Sequence, residues 1–251
     1  MKRRSFLWEF LAYTFYSAKT LLLKGHWYFF VTDMRHFFNW RSSRRRRAET
    51  LHVQTPWMVF EAIEFLKGWL TKDMKVYEYG SGSSTLFFSN LCDSIISVEH
   101  YDAWYCKVRD AIKKHGLHNI EYRLLPPVLS DTVNADCTDP KGYRSCFPEY
   151  KGYTFTAYAS SIDEYPDGYF DLVVIDGRSR GACILHAMKK IKTNGILLVD
   201  NAERKYYLQP FPELFDSSQW DLQTFMGHVP YNPPSSFDTT LLFTKKEQPT
   251  I

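Results

Sequence analysis

Residues 76 to 85, Val-Tyr-Glu-Tyr-Gly-Ser-Gly-Ser-Ser-Thr, constrain the fold more than any other stretch of the chain. An apolar run from Met74 to Tyr77 ends in an acid, Glu78, and glycines follow at alternate positions, Gly80 and Gly82. Ser83-Ser84-Thr85 then supply helix-start chemistry. The pattern predicts a strand, a tight turn and a helix N-terminus. Glycine has no Cβ, so such a turn lets a ligand lie against bare backbone, and a nucleotide-like molecule is its natural occupant. The dinucleotide-binding form of this loop carries a third glycine for close helix–strand packing. Here that place holds Thr85, which points away from NAD.

Three later segments extend the pattern. Ser94 to Glu99 is a second short apolar run ending in an acid, and Glu99 lies 21 residues after Glu78. In nucleotide-binding βαβ units an acid at this place accepts hydrogen bonds from the ribose hydroxyls, because a carboxylate only accepts and a vicinal diol offers two donors. Trp104 and Tyr101 follow at a place that often lies beside a base, although core packing is the default for Trp104. Tyr169 to Ile175 reads as a strand buried on both faces and ends in Asp176-Gly177. Thr193 to Val199 reads as a turn leading into another such strand, ending in Asp200-Asn201. Strands that end repeatedly in acids are hard to explain by packing, since buried charge is costly without partners.

Glu-x-Gly-x-Gly, with its acid at the strand end, resembles motif I of the Rossmann-like S-adenosylmethionine-dependent methyltransferases. Ile-Asp-Gly at 175–177 resembles their motif IV, and Val-Asp-Asn at 199–201 their motif VI. The resemblance covers roughly residues 50 to 246. It implies a doubly wound α/β fold: a mostly parallel seven-stranded sheet with an antiparallel last strand. Strands are expected near 74–79, 94–99, 119–125, 170–176, 195–200, 220–226 and 237–244, and helices near 55–70, 84–91, 102–115 and 181–191. It also implies S-adenosylmethionine as cofactor, with Glu78 near its methionine end. The remaining candidate contacts are Gly80, Ser81, Gly82, Ser84, Thr85, Glu99, His100 and Asp176.

Methyl transfer to a hydroxyl also needs a base or a metal. The metal-dependent catechol-type members use an aspartate after the fourth strand and an Asp-Asn pair after the fifth. That resemblance makes Asp176 and Asp200 candidate catalytic residues and Asp176, Asp200 and Asn201 candidate ligands for Mg²⁺ or another divalent cation. The surroundings differ, because Arg178-Ser179-Arg180 follows Asp176. Either arginine could grip a carboxylate or phosphate bidentately. With Asn201 and Tyr206 they form the candidate substrate-binding set, and Glu203 and Arg204 lie beside it. His228, in the terminal hairpin connection, reads as a surface residue rather than a base.

Charge is uneven. Residues 1–50 hold 11 Lys/Arg against 3 Asp/Glu, whereas the other 201 hold 20 against 25. The segment is also rich in Phe, Tyr and Trp and closes with Arg44-Arg45-Arg46-Arg47. No stretch of 18 residues in it is free of charge, which excludes a spanning helix. Arg3-Arg4 resembles a twin-arginine signal, but Glu9 and Lys19 interrupt the apolar region. The favoured reading is a helical extension, residues 1–50, that caps the domain at 51–251 or forms a dimer contact. The alternative is an interfacial anchor, with residues 1–47 peripheral to an anionic membrane. A single charge run is weak support for nucleic-acid binding. Five cysteines without metal-type spacing read as reduced thiols in a cytoplasm, although Cys137 and Cys146 share a loop and would pair if oxidised. Residues 126–157, an insertion that includes Asp131, are long enough to line or lid an acceptor pocket. The expected activity is methyl transfer to a small-molecule acceptor, with an O-nucleophile favoured; a non-catalytic scaffold of the same fold is the alternative. Nothing in the sequence sets the oligomeric state.

Overall fold

The computed structural model describes residues 5–130 and 136–247, so Arg3-Arg4 and Asp131 lie outside the described residues. Three helices open the chain: α1 (Phe6–Thr20), α2 (Trp27–Arg35) and α3 (Phe37–Arg45). A short α4 (Thr50–Val53) and α5 (Phe60–Trp69) lead into β1 (Lys75–Tyr79), α6 (Ser83–Ser89), β2 (Ser94–Glu99), α7 (Asp102–Lys114) and β3 (Ile120–Leu124). The insertion contributes β4 (Val128–Leu129) and β5 (Tyr153–Thr154), followed by α8 (Thr156–Ser160). The chain ends with β6 (Phe170–Ile175), α9 (Arg180–Lys190), β7 (Ile191–Val199), β8 (Trp220–His228) and β9 (Phe237–Lys245).

Seven strands form one sheet in the order β3-β2-β1-β6-β7-β9-β8. Only β9 runs against its neighbours, pairing antiparallel with β7 and β8. The strand order turns back between β1 and β6, and such a switch point opens a crevice at the carboxyl ends. Alternation along the strands divides the core. Tyr77, Tyr79, Val173 and Ile175 face one layer, and Val76, Leu172, Val174 and Leu198 face the other. The second layer also holds Tyr13, Phe37 and Trp40, so the opening helices share a core with the sheet.

Those helices are pinned by polar contacts across the whole chain. Asp33, buried, accepts from Ser17 Oγ (2.6 Å), from the backbone N–H of His228 (2.8 Å) and, through its own carbonyl, from the Tyr13 hydroxyl (2.7 Å). The His228 ring sits between Asp33 Oδ2 (2.8 Å from Nδ1) and the Pro234 carbonyl (2.9 Å from Nε2). The Trp40 indole donates to the Asn232 carbonyl at 3.0 Å.

Several expectations need correction. His228 is fully buried rather than a surface residue, because it anchors the N-terminal helices. Cys137 and Cys146 form a disulfide within the insertion, so these two are not reduced thiols. The first domain helix begins at Phe60 instead of residue 55, after a non-helical segment containing Pro56. The turn expected at 193–195 is a kink within β7, where Asn194 takes a φ of 63°. Among the described residues no helix is long and apolar enough to cross a membrane.

Candidate active site

The loops leaving β1 and β6 touch. Gly80 has a φ of 91°, and a Cβ there would stand 2.7 Å from Gly177 Cα and 2.9 Å from the Asp176 carbonyl carbon, all backbone. Only glycine fits. Gly82 differs: its backbone is extended, and a Cβ would meet nothing nearer than Trp104 at 3.9 Å. In front of this junction lies an open cleft of about 570 Å³, within the size range of small-molecule sites. Gly80, Ser81, Glu99, His100, Asp176, Arg178, Asp200 and Asn201 line it, as the sequence anticipated. Its walls also include Trp57, Trp104, Tyr150, Arg180, Arg204 and Asp238.

Glu99 is held rigidly at the rim. Its Oε1 accepts from the backbone N–H of His100 (2.8 Å) and Tyr101 (2.9 Å), and its Oε2 from Ser81 N (3.2 Å) and Oγ (2.9 Å). Burial works to raise its pKa, but His100, Tyr101 and Ser81 outweigh burial and hold it below the ordinary carboxylate range. A charged acceptor therefore faces the cleft. Trp104 stands beside it, its indole donating to the Ser81 carbonyl at 2.8 Å.

Glu78 does not face the cleft. It is fully buried behind the glycine loop, where Thr85 Oγ1 (2.5 Å) and Ser97 Oγ (2.6 Å) donate to its Oε2. Thr85 Oγ1 in turn accepts from Gly82 N at 3.0 Å. Burial pushes the Glu78 carboxyl up to about 7, and its Oε1 has no hydrogen-bond partner. Glu78 and Thr85 brace the loop from behind, and Ser84 is buried with them. None of these three, expected as cofactor contacts, lines the cleft.

The acids after β6 and β7 converge on one buried cation. Arg180 Nη2 donates to Asp176 Oδ1 (2.9 Å), the Asp176 carbonyl (3.1 Å) and Asn201 Oδ1 (3.0 Å). Its Nε donates to the Gly177 carbonyl at 3.1 Å and its Nη1 to the Asp200 carbonyl. Asp200 Oδ1 accepts from Thr240 Oγ1 at 2.6 Å, while Oδ2 is buried without a hydrogen-bond partner. Burial raises the Asp176 pKa against the pull of Arg180 and Arg178. Burial, then the Asp176 charge, raises that of Asp200 far more.

Arg178, by contrast, reaches the cleft. Its guanidinium lies 4.1 Å from the Phe147 ring centroid, Tyr150 stands at 5.9 Å, and its buried Nε has no hydrogen-bond partner. Arg204 approaches Phe147 from the other side at 5.6 Å. Both rings belong to the insertion. The Tyr150 hydroxyl lies 2.8 Å from His100 Nε2, which joins the insertion to the end of β2.

A family model for protein-L-isoaspartate(D-aspartate) O-methyltransferase matches residues 28–164, more than half of the chain. The chain belongs to that family. Its fold agrees with solved structures of low identity. A Streptococcus thermophilus rRNA methylase is 12% identical with a TM-score of 0.52, over 74% of this chain and 95% of that one. A Bacillus cereus O-methyltransferase solved with S-adenosylhomocysteine is 13% identical with a TM-score of 0.51, over 79% and 81%. No curated protein matches the sequence. The chain is thus a class I S-adenosylmethionine-dependent methyltransferase with a Rossmann-like sheet.

Within this methyltransferase the residues suggested as metal ligands do not fit a divalent cation. Asp176 Oδ1 and Asn201 Oδ1 already accept from Arg180, whose guanidinium stands where the ion would. Arg180 also lines the cleft, but its five donated bonds commit its guanidinium to Asp176, Gly177, Asp200 and Asn201, which removes it from the substrate-gripping set. Tyr206 faces a small void beside the disulfide, together with Tyr207, rather than the cleft. Sequence reasoning missed Trp57, Tyr150 and Asp238. Only Tyr150 carried a signal, as one of several aromatic residues in a long insertion.

Proposed function

We propose that this methyltransferase esterifies a carboxylate, transferring the methyl group to an oxygen of an anionic acceptor. The observation that carries the reading is Arg178, a cleft-facing guanidinium on an aromatic shelf with a buried donor left unpaired. A planar fork of donors matches a carboxylate bidentately, and Arg204 stands on the same aromatic ring of the insertion.

Two of the cleft's titratable groups are already engaged: Asp176 is tied to Arg180, and His100 lies between Glu99 and Tyr150. A hydroxyl acceptor would need a base such as Asp238, whose carboxyl burial lifts to about 6. A carboxylate is already ionised at neutral pH and needs none. The family takes its name from methylation of L-isoaspartate, whose carboxylate has this chemistry.

S-adenosylmethionine supplies an electrophilic methyl: acceptor oxygen bonds to it, the C–S bond breaks, its electron pair goes to sulfur, and a methyl ester and a thioether result. The chain's own task is positioning and exclusion of water. In this reading Glu99 would hold the ribose hydroxyls, Trp104 and Tyr101 would meet the base, and the bare backbone at Gly80 would admit the methionine portion. The insertion, residues 126–157, walls the acceptor side through Phe147 and Tyr150.

Calorimetric titration with S-adenosylhomocysteine, followed by transfer of labelled methyl groups to acidic peptides, tests this. Methyl esters release the label as methanol in base. Arg178→Gln is expected to raise the acceptor KM roughly ten- to a hundredfold, the loss of a charge-assisted contact, with unchanged S-adenosylhomocysteine affinity. Base-stable label, or label in RNA instead, would refute a carboxylate acceptor.

A further inference from the structure

The outer face of the N-terminal helices is apolar to a degree the rest of the surface is not. Among the described residues, twelve of the eighteen large exposed hydrophobic side chains fall between Phe6 and Phe38. Leu7, Leu11 and Phe15 repeat every four residues along α1, and Leu23, Trp27 and Tyr28 continue onto the start of α2. These six are 58% to 79% exposed. Leu11 and Phe15 each stand two residues before a buried partner, Tyr13 or Ser17, which places them about 160° around the helix from the docked side. The inward face is therefore docked, and among the described residues nothing covers the outward one. Apolar patches of this extent mark interaction sites.

Charge decides what covers the face. Of the three acids in residues 1–50, Glu9 is bound by Arg41 at 2.7 Å and Asp33 is buried against His228. Glu49 is the one exposed acid of that stretch among the described residues, whereas Lys19, Lys24, Arg45, Arg46 and Arg47 are exposed. A second copy would bring the same positive charge to the contact and be repelled. An anionic lipid surface carries the opposite charge. Its headgroup boundary also suits Trp and Tyr, which present an apolar body and a polar tip. At 15 residues α1 is too short to span a bilayer but long enough to lie along one.

We infer that α1 and the start of α2 seat this methyltransferase on an anionic bilayer surface, with Leu7, Leu11, Phe15, Leu23, Trp27 and Tyr28 entering the headgroup boundary and the basic residues holding the lipid charge. Binding is reversible and weakens with salt, because the electrostatic part is screened.

The test is co-sedimentation of the full chain with vesicles of phosphatidylglycerol and phosphatidylcholine in equal parts, and with phosphatidylcholine alone. Sedimentation with the anionic vesicles, reduced by salt, is expected. Leu11→Glu with Phe15→Glu should lower partitioning about tenfold or more, with melting temperature and S-adenosylhomocysteine affinity unchanged, since both side chains face outward. Arg45→Glu with Arg46→Glu should lower binding to anionic vesicles alone. Equal binding to both vesicle types would overturn the charge argument. No vesicle binding, together with a dimer that Leu11→Glu with Phe15→Glu dissolves, would assign the face to a second copy and overturn the proposal.

Discussion

Replacing Arg180 by methionine tests the electrostatic logic of the site most directly. Methionine keeps much of the aliphatic volume and removes five donated hydrogen bonds, to Asp176 Oδ1, Asn201 Oδ1 and the carbonyls of Asp176, Gly177 and Asp200. Removing one partner of a buried ion pair typically costs about 3–5 kcal/mol, because the other charge stays buried and unpaired. Asp176 is 24% exposed on its cleft side, so some of its charge finds water and the lower end of that range applies to it. The three carbonyls have no such relief. At about 2–4 °C per kcal/mol for a chain of this size, the melting temperature should fall by roughly 6–20 °C. The loss should also depend on pH. Burial already raises the Asp176 and Asp200 pKa values, and Arg180 opposes burial at both. Without it they rise further. A carboxyl whose folded pKa lies above its unfolded value holds more protons when folded, so stability falls as pH rises from the unfolded value, about 4, through the folded one. The variant should therefore be least destabilised near the acid end of this window. Differential scanning fluorimetry of both proteins across that range reads the effect. A melting temperature within about 2 °C of the parent at every pH would refute the idea that the guanidinium holds the three chain segments together.

Two further outcomes follow from the geometry. Gly80→Ala should abolish S-adenosylhomocysteine binding and lower stability, since its Cβ would meet backbone at 2.7 Å, whereas Gly82→Ala should leave the melting temperature unchanged; equal effects in calorimetry and fluorimetry would contradict the reading. Asp33→Ala should destabilise by about 1–3 kcal/mol at neutral pH, because the buried Ser17 hydroxyl and His228 backbone N–H lose their acceptor. Burial raises the Asp33 pKa, but His228 and Ser17 hold it below its ordinary value. Its contribution is thus present above about pH 4 and lost as pH falls further, so the urea-melt difference should narrow only there.

What could be read from the sequence was local. Apolar runs punctuated by Glu78, Glu99, Asp176 and Asp200 place four strand ends correctly, because period and punctuation act over a few residues. The Gly80 turn was legible for the same reason. What stayed hidden depends on distance or on degenerate chemistry. Asp33 and His228 are 195 residues apart, and a lone histidine gives no hint of a buried acid. Asp176 with Asp200-Asn201 is an oxygen set that suits a divalent ion and a guanidinium equally. Only the helix phase of Arg180, which turns its side chain back over the preceding loop, decides between them. Glu78 lies at a strand end in either reading, and only coordinates show that it points behind the loop.

The four strand-end acids resemble one another in sequence, yet each is neutralised differently, and this determines what the cleft can recognise. Glu78 is shielded by burial and two hydroxyls, with a carboxyl near 7 that is only partly ionised at neutral pH. Asp176 spends its charge on Arg180, and Asp200 lies beneath it beside Thr240 with its pKa far above the ordinary range. Glu99 alone among the four stays firmly ionised at the rim, at the end where a diol is expected. Arg178 stands on the other side with Arg204, which Glu203 approaches at 3.9 Å. A further opposing charge there is Asp238, whose carboxyl burial, Glu203 and Asp176 lift to about 6. Above that pH its charge draws on Arg204 and weakens the field an anionic acceptor meets; below it, that competition falls away. A cleft divided in this way, accepting at one end and donating at the other, favours a ligand pair of opposite polarity: a ribose diol against Glu99 and a carboxylate against Arg178.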